Sequence, residues 1–96
     1  MNLKSIVSTL KQLKPELAQR FGVSSIGLFG SVVRDDFSQG KSDIDIIVDF
    51  SKPIGIEFID LAEFLESIFH HKIDLVSKKS IKQKYLNSIE NDIMYV

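Results

Sequence analysis

Two short clusters in this 96-residue sequence combine residue types suited to phosphate and metal chemistry. Gly30-Ser31 is a small turn whose backbone a phosphate can approach, because glycine has no Cβ and reaches angles closed to other residues. Ser31 can cap a helix through Val32, Val33 and Arg34, where free N–H groups favour anions. After a polar loop from Asp35 to Lys41 comes Ser42-Asp43-Ile44-Asp45. Asp43 and Asp45 are two residues apart, so on a strand they share one face with Cβ atoms roughly 6.5–7 Å apart. Converging carboxylates repel by about 4 kcal/mol at 4 Å and an effective dielectric of 20, and a divalent cation relieves this. Oxygen donors without histidine or cysteine favour a hard ion, Mg²⁺ or Mn²⁺.

Neither cluster is specific alone. Gly-Ser is a common turn, and an Asp-x-Asp pair often lines nothing more than a solvated sheet face. Their order carries the weight: an apolar strand, the turn, then an acidic strand. Asp74, between Ile73 and Leu75, is a third carboxylate. If its strand lies beside Asp43–Phe50, Asp74 joins the acidic face, where it can ligate a metal and act as general base for an attacking hydroxyl.

The elements that must position these groups follow from the hydrophobic pattern. Leu3, Ile6, Val7, Leu10, Leu13, Leu17 and Phe21 recur at helical spacing. Pro15 predicts a kink or break at Lys14, and Gly22 suits the end of the helix. Ser25 to Phe29 reads as a short strand. In Asp43–Phe50, Ile44, Ile46, Val48 and Phe50 point to one face and Asp43, Asp45, Ile47 and Asp49 to the other. Residues 51–55 are a turn, Glu57 to His70 a helix, and Lys72 to Val76 a third strand. Ser80 and Gln83 suggest a capping box for a final helix with the stripe Ile81, Tyr85, Ile89 and Ile93. The expected fold class is α/β: a three-stranded mixed sheet with helices covering one face, in a single domain over residues 1–96.

A net charge of −1 gives no general attraction to nucleic acid, so direct nucleic-acid binding is not expected. Cysteine is absent, which rules out disulfides and thiolate metal sites. No apolar run approaches the roughly 20 residues that span a bilayer, and no signal peptide is evident at the N-terminus. The expected location is cytoplasmic, with no membrane partner. So short a chain leaves little material to enclose a substrate, and an acceptor presented by another protein is expected.

The strings Phe29-Gly30-Ser31-Val32-Val33-Arg34, Ser42-Asp43-Ile44-Asp45-Ile46-Ile47-Val48 and Ile73-Asp74-Leu75-Val76 resemble the signature of the minimal nucleotidyltransferases, within the DNA polymerase β-like nucleotidyltransferase superfamily. The resemblance covers almost the whole chain. Val33 and Asp35 stand where family members often carry alanine and glycine. The resemblance implies that Gly30 and Ser31 hold the nucleotide triphosphate, that Asp43 and Asp45 bind two Mg²⁺ ions, and that Asp74 is the third catalytic and metal-binding carboxylate. Arg34 and Ser42 are further candidates for the nucleotide. Stand-alone members of this size resemble the antitoxin of a toxin–antitoxin pair whose partner is a HEPN ribonuclease. The activity implied is transfer of AMP from ATP to a tyrosine of that toxin. Two alternatives stay open: an antitoxin that neutralises by binding alone, and a nucleotidyltransferase acting on a small molecule or an RNA end.

Other residues have blander readings. His70 and His71 suit a helix end. Phe58, Phe64 and Phe69 suit the core and a partner surface. Lys78, Lys79, Lys82 and Lys84 suit a solvated face.

Overall fold

A computed structural model describes residues 2–34 and 42–96; the expected polar loop over 35–41, with any pairing of Arg34 to Asp35 or Asp36, lies outside them. Helix α1 (Leu3–Phe21) starts at a reciprocal capping box. Asn2 Oδ1 accepts from the Ser5 N–H at 2.9 Å, and Ser5 Oγ accepts from the Asn2 N–H at 3.2 Å. Of the kink or break expected at Lys14 before Pro15, the break does not occur, and one helix of 19 residues runs through both. Proline removes a donor and crowds the preceding turn. Ile6 and Leu10 before it and Leu17 and Phe21 after it are nevertheless buried in one core, so burial of the continuous stripe outweighs the local loss. Gly22 ends the helix at φ 69°, as its position suggested.

Strands β1 (Val23–Phe29), β2 (Ile44–Phe50), β3 (Ile73–Ser77) and β4 (Met94–Tyr95) form one mixed sheet in the order β3-β2-β1-β4. β2 is antiparallel to β1 and parallel to β3, and β4 is antiparallel to β1. Four strands replace the three expected. The final helix, α3 (Gln83–Ile89), stops before Ile93, and a 3₁₀ turn over Glu90–Asp92 sends the chain back along β1. Gly27 makes room for it: a Cβ there would lie 2.7 Å from Ile93 Cγ2 and 3.2 Å from Tyr95 Cδ1. The expected Ser80–Gln83 capping box also fails to form. Lys82 precedes α3 without a side-chain cap, while the Ser80 N–H closes a turn on the Ser77 carbonyl at 3.0 Å.

Helices α1 and α2 (Glu57–Phe69) cover one face of the sheet, as expected. Ile26 and Leu28 of β1, Ile44, Ile46 and Val48 of β2, and Leu61 and Leu65 of α2 are almost wholly buried there. Each such side chain contributes about 1.5–3 kcal/mol by leaving water. Phe58, Phe64 and Phe69 pack against this core, with Phe64 meeting Phe21 at 5.6 Å between ring centres. The opposite, acidic face is not fully open. Ile47 sits there, buried in a small second cluster with Phe29 and with Leu86 of α3. Helix α3 therefore lies over the acidic face and builds one wall of the site.

Candidate active site

The parallel register of β2 and β3 sets Asp45 directly beside Asp74, and the antiparallel register of β1 sets Phe29 on the other side of Asp45. Neighbouring strands lie about 4.8 Å apart, so the two carboxyl groups meet on the acidic face. Gly30 follows Phe29 and turns the chain over Asp45 with φ 74°. A Cβ at Gly30 would overlap Asp45 Oδ2 and lie 3.1 Å from its Cγ. Glycine is thus required twice, for its backbone angle and for the space that Asp45 fills.

The helix that Ser31 was expected to cap is only a 3₁₀ turn, Gly30–Val32, preceded by Phe29 and without a side-chain cap. Val32 drops into the main core, which draws the chain inward after one turn. The Val33 and Arg34 N–H groups are already bonded to the carbonyls of Gly30 and Ser31 at 3.1 and 3.2 Å. Ser42 and Asp43 lie just ahead of β2, both half-buried. His71 Nε2–H donates to the Ser42 carbonyl at 2.6 Å, and the Ile44 N–H donates to Lys72 at 3.0 Å, fixing where β2 begins. His71 is thus bonded across to β2, while His70 closes α2 in the left-handed region at φ 51°.

Asp45 and Asp74 open into a recess of about 220 Å³ together with Gly30, Arg34 and Asp92. Phe29, Val76, Tyr85 and Ile89 supply its apolar wall. Among its described lining residues Ser31, Ser42 and Asp43 do not figure. A larger hollow of about 380 Å³ beside Phe50, Phe58 and Leu75 has no ionisable side chain among its described lining, so the smaller recess is the candidate site.

Electrostatics single out Asp45. Its pKa is raised from 3.8 to about 6, first by burial, then by the charge of Asp74 and a hydrogen bond with it, and by the charge of Asp43; Arg34 opposes the shift. A half-buried carboxyl crowded by neighbouring carboxylates in this way matches a site built for a cation. Among the described residues no three His, Cys, Asp or Glu side chains form a ready metal cage. The donor set is nevertheless oxygen-only, which fits Mg²⁺, and Mg²⁺ is commonly held by one or two carboxylates with substrate phosphates completing its shell.

Comparison with known proteins decides the family. Residues 10–96 match the model of a nucleotidyltransferase domain. The protein adenylyltransferase MntA of Thermococcus cleftensis is 41% identical over 97 residues, covering 100% of this chain and 97% of the relative. The chain belongs to the nucleotidyltransferase family. A relative from Methanocaldococcus jannaschii is 42% identical to this nucleotidyltransferase over 98 residues, covering 98% of the chain and 97% of its own length. Solved structures share the fold. A minimal nucleotidyltransferase superposes with a TM-score of 0.81 at 22% identity over 98% of this chain and 95% of its own. A toxin–antitoxin structure with AMP-PNP gives 0.72 at 23% identity, over 99% of this chain and 72% of that one. A tri-AMPylated Shewanella oneidensis HEPN toxin in complex with its MNT antitoxin gives 0.62 at 24%, over 98% and 67%.

The structure of this nucleotidyltransferase brings together Gly30, Arg34, Asp45 and Asp74 of the residues marked in sequence. It adds Tyr85, Ile89 and Asp92, which sequence reasoning left out of the site. The i, i+4 spacing of Tyr85 and Ile89 announced a common helix face, but which sheet face that helix would cover was not written in it.

Proposed function

We propose that this nucleotidyltransferase is an antitoxin that transfers AMP from ATP to a tyrosine of a cognate HEPN-type toxin in the cytoplasm, with residues 1–96 acting as one catalytic domain. The observation that carries the reading is the in-register pair Asp45–Asp74 facing Gly30 and Arg34 in one recess. Likeness to an MntA protein adenylyltransferase along the full chain supports it, as do solved relatives described as toxin–antitoxin complexes, one with AMP-PNP and one with a tri-AMPylated HEPN toxin.

In this reading Gly30 lets the triphosphate approach the backbone, and Ser31 offers its hydroxyl beside it. Arg34 places a positive charge against the phosphates, and Ser42 lies just ahead of β2, where its carbonyl is held by His71. Asp43, Asp45 and Asp74 would hold Mg²⁺, two ions in the full complement. The metal supplies charge neutralisation at the α-phosphate and at the departing pyrophosphate. Asp74, the more exposed of the paired carboxylates, accepts the proton of the incoming tyrosine hydroxyl. The tyrosine oxygen bonds to the α-phosphorus as the bond to pyrophosphate breaks. The product carries added bulk and negative charge, which disfavours binding of anionic RNA.

Co-expression with the cognate toxin tests this. Wild-type protein restores growth, and Asp45→Asn or Asp74→Asn at equal abundance does not. Full protection by both variants would replace catalysis with neutralisation by binding.

A further inference from the structure

The chain has two tyrosines, and they sit in opposite settings. Tyr95 lies on edge strand β4 with Lys78 Nζ 5.4 Å from its ring centre. Tyr85 projects from α3 into the wall of the recess that holds Asp45 and Asp74, and 52% of it remains exposed. A phenol is the acceptor class assigned to this site above, so the recess already contains one. A group tethered beside a site acts at an effective concentration of roughly millimolar or more. A free partner at micromolar concentration is met less often than that until it docks on the chain and fills the recess.

We propose that Tyr85 is a self-modification site, adenylylated by its own chain when no partner fills the recess. The inference rests on the adenylyltransferase reading above. The Tyr85 hydroxyl oxygen bonds to the α-phosphorus of ATP, the bond from that phosphorus to the β-phosphate oxygen breaks, and pyrophosphate leaves with its electron pair. The phenolic proton passes to Asp74. The AMP group then lies over Asp45 and Asp74 and excludes a further ATP, so the modification limits the free enzyme and spares the enzyme engaged with its toxin.

The full chain alone, incubated with Mg²⁺ and ATP labelled at the α-phosphate, is read by intact mass and peptide mapping. One AMP on Tyr85 is expected, with a rate constant independent of protein concentration. Tyr95→Phe keeps the label; Tyr85→Phe, with an unchanged melting curve, loses it. A second readout needs no turnover: the α,β-methylene analogue of ATP, which cannot release pyrophosphate, slows nitration of Tyr85 and not of Tyr95. Label on Tyr95, or none on a preparation that still labels its toxin, overturns the inference alone. A rate proportional to protein concentration overturns the intramolecular route. If neither chain nor toxin is labelled, the adenylyltransferase reading falls with it.

Discussion

Asp74 stands directly beside Asp45 across the parallel β2–β3 pair, and after burial it is the strongest influence holding the Asp45 carboxyl protonated up to about pH 6. Removing that neighbour's charge isolates its share. Asp74→Asn is expected to lower the Asp45 midpoint towards the usual carboxylate range without restoring it fully, since burial remains. Carboxyl-carbon NMR titration of the metal-free protein reads this directly. An unmoved midpoint would mean that the two groups are uncoupled.

The same shift fixes the sign of a stability effect. Asp45 titrates near 3.8 unfolded and about 6 folded, so between those values the folded chain holds more protons. Stability of the metal-free protein therefore falls as pH rises through that window and levels off above it. For a half-exposed carboxyl, screening reduces the effect to the order of 1 kcal/mol. Denaturant melts at pH 4.5 and 7.5 check it by difference, because Asp45→Asn removes this contribution and the two proteins should diverge in slope.

Metal is expected to reverse the balance. At pH 7.5 Mg²⁺ should raise the melting temperature of the wild type, because an ion that binds only the folded state stabilises it by mass action. Chelation with EDTA reverses the gain, and Asp45→Asn abolishes most of it. A rise of the same size in the variant would place the ion elsewhere.

Gly30→Ala tests the crossing of the Gly30 turn over Asp45. A left-handed angle costs an L-residue roughly 1–2 kcal/mol, and the added methyl must also displace the Asp45 carboxylate. A loss of more than about 2 kcal/mol is expected on those two grounds together. Nucleotide transfer should fall by a larger factor than stability alone explains, which thermal melts and transfer rates on the same preparation separate.

Pro15 offers a test in the other direction. It is exposed in an unbroken helix, and proline disfavours a helix interior by about 3 kcal/mol relative to alanine. Some of that is returned by the stiffer unfolded chain, so Pro15→Ala should stabilise by about 2 kcal/mol, measured by denaturant midpoint.

Much of this site was legible in the chain. The alternation of Ile44 to Phe50 fixed which side Asp45 faces, and the flanking Ile73 and Leu75 fixed Asp74 in the same way. Period-2 patterning survives folding because a register slip would bury the acids. Local signals that compete with burial were less dependable. Pro15 lost to the stripe on both sides of it, and Ser31 lost its capping place once Val32 was drawn into the core. The fourth strand was hidden for a different reason. It depends on a contact between Gly27 and Ile93, far apart in sequence, and no local pattern marks it. The same long-range packing carries α3 across the acidic face, so Tyr85 became part of the site only in three dimensions.

The most direct measurement of the central claim is the intact mass of the HEPN toxin after incubation with this protein, Mg²⁺ and ATP. The expected result is a gain of one or more AMP units on a tyrosine, accompanied by loss of ribonuclease activity, with neither change when Asp45→Asn replaces the wild type. A toxin silenced at unchanged mass, equally by wild type and Asp45→Asn and without need of ATP, would contradict it.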